Sequence, residues 1–420
     1  MKPNPKARAK EFEVRIEKLV YGGSGLGRHE GQVVFVPFTA PGDLVKVRAT
    51  EWKKNYVRAR AVEALEPGPG RQMPACVHFG SCGGCQWQHL EYDRQLEFKR
   101  KILEETFYHN LPETRGLAIG MTGSPQTFGY RSRARVQIRG FGAGTTVGFY
   151  QAQSHRVEDV EACPLFHPSL NAALSAARAG RQRETSDPGI HELDLACSPD
   201  DESWRIAAVG TAAQPDPSSS PAAECNDAEE TIFRRTVGAF SYLVTPAVFF
   251  QANHLLAGEM VELVSELARA GGRAAALDLF SGVGLFVLPL ARQFAKVIAV
   301  ESSTLACRLC AKNAVQAGLE NVQPICAEVS SWMDAAGSLS PPAFDLVVLN
   351  PPRTGAGKRV MEKLIEWTPE RIVYVSCDPQ TLVRDLVVLS PRHYRIDFVQ
   401  GLDMFPHTYH FETIVRMSHL

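Results

Sequence analysis

The sequence predicts an α/β protein in three parts, and three observations predict their order. Residues 11–66 form short runs in which apolar and polar residues alternate between Gly and Pro turns, the pattern of a small closed β-barrel. A central α+β part combines closely spaced cysteines with one helical and several strand-like segments. From about residue 246, strands alternate with helices, which indicates a mostly parallel sheet covered on both faces. We therefore predict domains at 1–67, 68–245 and 246–420.

The composition is that of an ordinary globular protein. The 420 residues are 45% hydrophobic and 22% charged, the usual balance of folded domains. The sequence contains no run of 18 apolar residues, so we expect no membrane span, and its N-terminus lacks the apolar core of a signal peptide. We therefore expect a cytoplasmic protein, in which ten cysteines indicate thiols, metal binding or catalysis rather than disulfides.

Charge is segregated along the chain although the net charge is only −1. Residues 1–60 contain 13 Lys and Arg against 6 Asp and Glu, whereas residues 181–230 contain 3 against 12. Lys and Arg recur on the polar face of the predicted barrel, beside Trp52 and Tyr56. Basic, aromatic barrel surfaces often hold single-stranded nucleic acid. The alternative is a generic barrel with a solvated basic face.

The central part is predicted to carry one helix and a return to strands. Residues 91–108 look helical, within a segment at about 90–115 that can pack with the C-terminal domain, and strand alternation returns over 128–160. An arginine-rich segment at 131–139 falls on these strands and is expected to contact phosphates. Residues 212–230 have the composition of a flexible surface loop.

The C-terminal part is predicted to contain seven strands, the last two close enough in sequence to pair antiparallel. They are placed at 275–280, 296–301, 322–327, 344–350, 371–377, 393–399 and 411–417. Open α/β sheets bind ligands at the carboxyl ends of their strands. Cys377 ends the fifth of these strands, so we expect its thiol in that crevice.

A glycine loop follows the first of these strands. In Asp278-Leu-Phe-Ser-Gly-Val-Gly284 the glycines would let the backbone approach a nucleotide, and Glu301, at the tip of the next strand, would hold ribose hydroxyls. Position 287 is Val, where dinucleotide-binding loops have a third glycine. A cofactor without a pyrophosphate, S-adenosyl-L-methionine, therefore fits better than a dinucleotide. An oxidoreductase that uses this loop for a dinucleotide remains the competing hypothesis.

Three further residues are candidates for chemistry at the same edge. Asn350-Pro-Pro ends the fourth strand, and the rigid prolines would aim Asn350 into the crevice. Asp378-Pro379 starts a helix whose N-terminal dipole would favour a thiolate at Cys377. Glu412 lies on an otherwise apolar terminal strand, where a carboxylate is either a satisfied structural residue or a general base.

The cysteines near residue 80 have three interpretations. Cys76, Cys82 and Cys85 are closely spaced, and Cys163 follows about 80 residues later. They could be buried thiols, a zinc site with one Cys-x2-Cys unit, or an iron–sulfur site with three close ligands and a distant Cys-Pro. The spacing is not Cys-x3-Cys-x2-Cys, which argues against radical cleavage of S-adenosyl-L-methionine.

These motifs together resemble the RNA uracil-5 methyltransferase family, in its iron–sulfur branch that methylates 23S ribosomal RNA. The resemblance covers nearly the whole chain. It implies an OB-like β-barrel of the TRAM type, a central iron–sulfur domain that contacts RNA, and a Rossmann-like S-adenosylmethionine-dependent methyltransferase domain. The motifs that carry it are Phe249-Phe-Gln-Ala-Asn253, Ser376-Cys-Asp-Pro379, His410-Phe-Glu412 and the four cysteines.

The resemblance also implies roles for single residues. Cys377 would be the nucleophile and Glu412 the base of a covalent mechanism. The cofactor would be contacted by Gln251, Phe280, Glu301 and Asn350. A 4Fe–4S cluster would be held by Cys76, Cys82, Cys85 and Cys163. Two positions depart from the family pattern, which usually has Asp at Asn350 and commonly has Asn at Leu285.

The function that the resemblance implies is S-adenosylmethionine-dependent methylation of carbon 5 of a uridine in RNA, with 23S ribosomal RNA as the expected substrate. The target uridine would be flipped out of a structured loop. A tRNA uracil-5 methyltransferase is one alternative. A non-catalytic RNA-binding factor for ribosome assembly is another. No obligate protein partner is expected.

Overall fold

A computed structural model of the protein describes residues 11–186, 189–209, 231–269, 271–337 and 343–420. The loop predicted at 212–230 lies outside these residues. The chain divides into two compact units. The first contains the chain up to Ile102 with Phe149–Glu158 and Phe405–His410; the second contains Leu103–Gly148, Asp159–Met404 and Phe411–Leu420. The three-domain division at 1–67, 68–245 and 246–420 stays a prediction.

The predicted N-terminal barrel is confirmed. Its strands are β1 (Glu11–Leu19), β2 (Gly25–His29), β3 (Gln32–Val36), β4 (Leu44–Trp52) and β5 (Tyr56–Glu66), and they close in the order β1-β2-β3-β5-β4. Side chains alternate between the two faces of a strand. Val14, Ile16, Val34 and Val47 therefore point into one buried core, while the intervening Lys and Arg stay outside.

Eight helices occur in the described residues. They are α1 (Tyr92–Asn110), α2 (Pro168–Gln182), α3 (Ala257–Ala268), α4 (Val287–Ala291), α5 (Thr304–Gln316), α6 (Val329–Ala336), α7 (Lys358–Trp367) and α8 (Pro379–Leu389). The helix predicted at 91–108 is thus α1, within two residues at each end. The helix expected after the glycine loop, α4, is only five residues long.

Strands return after α1 as the alternation predicted. They are β6 (Ile119–Thr122), β7 (Arg133–Arg139), β8 (Thr146–Tyr150), β9 (Val157–Asp159), β10 (Glu192–Cys197), β11 (Trp204–Ala208), β12 (Phe233–Val237) and β13 (Phe240–Val244). Five of them form a sheet in the order β11-β10-β7-β8-β9, and β12 pairs with β13.

All seven strands predicted for the C-terminal part are present. They are β14 (Ala275–Leu279), β15 (Lys296–Glu301), β16 (Val322–Cys326), β17 (Leu346–Leu349), β18 (Arg371–Ser376), β19 (Tyr394–Leu402) and β20 (Glu412–His419). With β6 they form one sheet in the order β16-β15-β14-β17-β18-β20-β19-β6.

The centre of this large sheet is buried on both faces. Every residue of β17 and β18 is buried, as expected for parallel strands covered on both faces. The strands from β16 to β18 run parallel, so their carboxyl ends meet at one edge. The last two strands pair antiparallel as predicted. β20 also pairs antiparallel with β18, and so lies between β18 and β19.

Candidate active site

Cys377 lies at the carboxyl end of β18, between the strand and α8. Asp378 caps the helix, because its carboxylate accepts hydrogen bonds from the amides of Gln380 (2.9 Å) and Thr381 (3.2 Å). Ser376 Oγ accepts from the Asp378 amide and donates to its carbonyl. These contacts hold the turn that carries the half-buried Cys377 thiol.

Strand β20 brings Glu412 to the same place. The antiparallel register ends with Ser376 paired to Thr413, and Cys377 and Glu412 are the residues that adjoin this pair. The charge of Glu412 acts on the Cys377 thiol, so the two side chains lie close to each other. The Glu412 side chain is buried, and its Oε2 has no hydrogen-bond partner.

Burial sets the protonation of both groups. The pKa of the Cys377 thiol is raised to about 12, mainly because burial removes solvent and also because of the negative charge of Glu412, while Arg353 opposes the rise. Burial also raises the pKa of Glu412 to about 8, again opposed by Arg353. The dipole of α8, expected to favour a thiolate, is therefore outweighed in the protein alone. Cys377 is a neutral thiol there, and Glu412 titrates near neutral pH.

The glycine loop has the conformation that a close approach to a ligand requires. Phe280, the first residue after β14, has a φ of 63°, a left-handed conformation that is uncommon for residues other than glycine. Gly284 has a φ of 94°, and a Cβ there would lie 3.0 Å from Cys310 Sγ. The loop therefore depends on glycine at position 284 for both its backbone angle and its packing.

Glu301 joins this loop to the next strand. Its Oε2 accepts a hydrogen bond from the Gly282 amide at 3.0 Å. Its Oε1 accepts from the Ser303 amide at 2.8 Å and from Ser302 Oγ at 3.1 Å. The carboxylate is thus fixed at the tip of β15, beside the loop, where the sequence predicted a ribose ligand.

Several buried polar atoms near these strand ends have no partner in the protein. Gln251 Oε1 is one, and both carboxylate oxygens of Asp278 and the Ser281 hydroxyl are the others. Burial raises the pKa of Asp278 well above its usual range, and Glu301 adds to this rise. Because a buried polar group without a hydrogen bond is costly, these atoms fit a polar, charged ligand such as the amino-acid portion of S-adenosyl-L-methionine.

The two positions that depart from the family pattern have ordinary surroundings. Asn350 follows β17, and its amide donates to the carbonyl of Leu279 at 3.3 Å, which keeps it at the tip of the strand next to β14. Leu285 is buried, and its carbonyl accepts from the Tyr242 hydroxyl at 3.0 Å. An apolar side chain at 285 is therefore compatible with the loop.

Comparison with known proteins identifies the family. Residues 235–419 match the family model described as tRNA (Uracil-5-)-methyltransferase, and residues 5–62 match the TRAM domain. The 23S rRNA (uracil(1939)-C(5))-methyltransferase RlmD of Alkalilimnicola ehrlichii is 33% identical over 429 residues, which cover 96% of this chain and 95% of the relative. The chain belongs to the RNA uracil-5 methyltransferase family. The predicted enzyme class and the TRAM barrel are thereby confirmed.

Other relatives agree with this family. RlmD of Pectobacterium atrosepticum is 32% identical, with 98% of this chain and 94% of that protein covered. Among solved structures, the Pyrococcus abyssi tRNA (uracil-54, C5)-methyltransferase in complex with S-adenosyl-L-homocysteine has a TM-score of 0.73 at 28% identity, covering 97% of this chain and all of that one. No described helix is long and apolar enough to cross a membrane.

The four cysteines predicted to hold a cluster belong to different units. Cys76, Cys82 and Cys85 lie in the first, and Cys163 in the second. Gln88 contacts two of them, because its Oε1 accepts from the Cys76 amide (3.1 Å) and its Nε2 donates to Cys85 Sγ (3.3 Å). No three His, Cys, Asp or Glu side chains in the described part of the chain are arranged to hold a metal ion. The iron–sulfur expectation therefore stays a prediction.

Two site residues were missed by sequence reasoning. Arg353 lowers the pKa values of both Cys377 and Glu412, and its place after Asn350-Pro-Pro was the available signal. Phe249 is 61% exposed, two residues before Gln251. The Arg133 guanidinium lies 5.5 Å from its ring centre, a contact that no local sequence pattern indicates.

The arginine-rich segment 131–139 is less available than expected. Arg135 binds Asp194 with two hydrogen bonds of 2.9 and 2.8 Å. Arg133 donates to the carbonyl of Pro246 at 3.0 Å, and burial lowers its pKa. These two arginines therefore make contacts within the protein, and Arg133 packs against the ring of Phe249.

Proposed function

We propose that this enzyme methylates carbon 5 of a uridine in 23S ribosomal RNA through a covalent bond between Cys377 and the uracil ring. The observation that carries the proposal is that Cys377 and the buried Glu412 both adjoin the last pair of β18 and β20, close enough for the charge of Glu412 to act on the thiol. Both RlmD relatives named above support ribosomal RNA as the substrate. The cytoplasm, where ribosomes mature, is the expected location.

S-adenosyl-L-methionine, when bound, supplies the methyl group. Gln251 and Asp278 offer buried, partnerless oxygens, which we propose contact the cofactor. Glu301 offers a carboxylate fixed by backbone amides, suited to ribose hydroxyls. Phe280 and Asn350 line the same strand ends. We keep the four cofactor-contacting residues that the sequence predicted and add Asp278 to them.

Cys377 makes carbon 5 reactive. Its sulfur adds to carbon 6 of the uracil, which turns carbon 5 into the carbon of an enolate and allows it to take up the methyl group. The thiol must first lose its proton, which passes to solvent water because Cys377 is only partly buried. Arg353 is the cation that lowers its pKa, and Arg353 also lies where it can stabilise the negative charge that develops on the ring.

Glu412 completes the reaction as the general base. After methyl transfer, carbon 5 still carries its proton, and the Cys377 sulfur leaves only when that proton is removed. A base works best when its pKa lies near the operating pH, and burial brings the pKa of Glu412 to about 8. Its partnerless Oε2 is available for the proton.

The RNA is proposed to contact an aromatic side chain and a basic barrel. Phe249 is exposed and lies two residues before Gln251 in the chain, and we propose that its ring stacks on an unstacked base. The barrel carries exposed basic side chains, including Lys54 and Arg60, that can bind phosphates. A structured loop with a flipped uridine is the form of RNA that we propose as the substrate.

We also propose a 4Fe–4S cluster on Cys76, Cys82, Cys85 and Cys163, supported by four thiols in the spacing of such sites. The Cys82 sulfur accepts from the Gly84 amide at 3.4 Å and the Cys85 sulfur from Gln88, and such hydrogen bonds stabilise cluster sulfurs. Anaerobically purified protein should contain about four irons per chain. Stoichiometric zinc without iron would contradict this.

The test of the function is methyl transfer from labelled S-adenosyl-L-methionine to RNA from cells lacking the gene. Wild-type protein should label one or more uridines in 23S RNA as 5-methyluridine. Cys377→Ala should abolish labelling while retaining binding of S-adenosyl-L-homocysteine. Cys197→Ala is the matched control, because Cys197 is a buried thiol of β10. Labelling that survives in Cys377→Ala would contradict the covalent mechanism.

A tRNA substrate is the second candidate. The 0.73 TM-score with the Pyrococcus abyssi tRNA methyltransferase favours it. Total tRNA from the same cells therefore belongs in the assay beside ribosomal RNA. Labelling of tRNA alone would replace ribosomal RNA as the proposed substrate.

A further inference from the structure

A pair of thiols lies on the backbone that carries Glu301. Cys326 is the last residue of β16 and pairs in register with Glu301, the last residue of β15. Cys307 lies in the first turn of α5, the helix that begins three residues after Glu301. Two cysteines from different elements thus meet beside the proposed cofactor carboxylate.

Both sulfurs bind the Glu301–Thr304 turn. Cys307 Sγ donates to the Glu301 carbonyl at 3.5 Å. Cys326 Sγ lies 3.8 Å from the Ser302 carbonyl and 3.6 Å from Thr304 Oγ1. The two sulfurs therefore lie against neighbouring residues of one turn, and Cys326 contributes to raising the pKa of Cys307. The same turn fixes the Glu301 carboxylate through Ser303 and Ser302.

The two thiols differ in access. Cys326 is exposed, whereas Cys307 is buried, and burial raises the pKa of Cys307 to about 12, with Cys326 adding to the rise. An oxidant from solution therefore meets Cys326 first. Cys307 is placed to react only with its neighbour, which needs no access from solvent.

We propose that Cys326 and Cys307 are a site of reversible oxidative modification whose disulfide weakens cofactor binding. The oxidant is a peroxide. The Cys326 thiolate attacks one oxygen of hydrogen peroxide and becomes a sulfenic acid, and the released hydroxide takes the thiol proton to form water. Cys307 then attacks the Cys326 sulfur; its proton leaves with the hydroxyl as a second water, and the S–S bond forms. The two thiols lose two electrons, which the peroxide accepts.

The disulfide changes the turn that holds Glu301. Its sulfurs must approach to about 2.05 Å, and both thiol protons are removed, so the hydrogen bonds to the Glu301 and Ser302 carbonyls disappear as well. The effect on the cofactor rests on the role proposed above for Glu301. Loss of one hydrogen bond to a charged group predicts a fall in affinity of about tenfold.

The linkage can be mapped because trypsin separates the cysteines. Cleavage after Lys296, Arg308, Lys312 and Arg353 puts Cys307 in peptide 297–308 and Cys326 in peptide 313–353, while Cys310 falls in peptide 309–312. Full-length protein is treated with hydrogen peroxide, blocked, digested and analysed by mass spectrometry without reduction. Linked peptides 297–308 and 313–353 are expected. Absence of this linkage overturns the proposal.

Binding of S-adenosyl-L-homocysteine is then measured by calorimetry before oxidation, after it, and after reduction with dithiothreitol. Affinity should fall about tenfold on oxidation and return on reduction. Cys326→Ser should not respond to peroxide, whereas Cys197→Ala, which removes a buried thiol of β10 away from the glycine loop, should respond like wild type. Equal affinity in the linked and reduced states overturns the coupling, but leaves methyl transfer, tested at Cys377, intact.

Discussion

Cys377 and Glu412 adjoin the Ser376–Thr413 pair with which the register of β18 and β20 ends. The negative charge of Glu412 raises the pKa of the Cys377 thiol, so the two groups interact electrostatically. In the proposed reaction they act in turn, the sulfur before methyl transfer and the carboxylate after it. Their separate roles can be distinguished by variants that stop the reaction at different stages.

Glu412→Gln should trap the enzyme on its RNA. Addition of Cys377 and methyl transfer do not need the base, whereas release of the sulfur does. A denaturing gel with labelled RNA should show a covalent adduct that accumulates with this variant. The double variant Cys377→Ala with Glu412→Gln is the control and should show none. Normal turnover of Glu412→Gln without an adduct would place the base elsewhere.

Methylation should speed up as pH rises through about 8. Glu412 accepts a proton only as a carboxylate, and burial raises its pKa to about 8, so the competent form increases with pH through that value. The turnover rate measured across neutral and mildly alkaline pH should show this rise. The rate of adduct formation by Glu412→Gln should lack the inflection that Glu412 causes. A wild-type rate that falls over this range would contradict the assignment.

The same carboxyl should make folding stability depend on pH. The pKa of Glu412 is raised from an ordinary 4.5 to about 8 in the folded protein, so the folded protein holds this proton more tightly than the unfolded chain does. The stability gained in this way is fully present below pH 4.5 and is lost as the pH rises through about 8. Between these values wild type should lose up to about 1.4 kcal/mol per pH unit. Urea unfolding across pH should show a shallower decline for Glu412→Gln. Parallel declines for both proteins would contradict the buried carboxyl.

Gly284→Ala should weaken cofactor binding more than Gly282→Ala. At Gly284 the φ of 94° lies outside the usual left-handed region and a Cβ meets Cys310 Sγ, whereas Gly282 has a φ of 55° and no atom within 4 Å of its Cβ position. Strain of this kind costs about 1–3 kcal/mol. Thermal unfolding with and without S-adenosyl-L-homocysteine would compare the two variants. Equal effects would mean that the packing against Cys310 is unimportant.

Exposed barrel cations should set part of the salt dependence of RNA binding. Lys54 and Arg60 are exposed. If each binds one phosphate, then Lys54→Gln and Arg60→Gln should each lower the log–log slope of affinity against salt by roughly 0.7–0.9. Arg48→Gln is the control, because Arg48 already binds Glu11 at 3.1 Å. Unchanged slopes in the first two variants would assign RNA binding to other surfaces.

Local patterns were sufficient to predict the strands, but not their order in the sheet. Buried runs such as 371–377 are apolar throughout and end at turn residues, so their position follows from composition alone. The insertion of β20 between β18 and β19 is a choice among distant partners, and no residue nearby indicates it. The proximity of Cys377 to Glu412 could therefore be recognised only in the structure, although the sequence had already made each residue a candidate.

The same limit applies to contacts between residues that are far apart in the sequence. Asp194 neutralises Arg135 from a strand 59 residues away, and Cys326 meets Cys307 from another element. Such contacts depend on register and packing. The raised pKa of Glu412 likewise follows from its burial. A single polar residue in an apolar strand suggests that the residue is buried, but the extent of burial is known only from the structure.

The place of β20 in the sheet has a consequence for the growing chain. The ribosome makes β18 and β19 before it makes β20, and neither can complete its hydrogen bonds until β20 enters between them. Until then both present open strand edges, which invite pairing with other chains. A chain interrupted before residue 412 would keep those edges and lack Glu412, the proposed general base. We therefore expect such fragments to aggregate or to be degraded rather than to capture RNA.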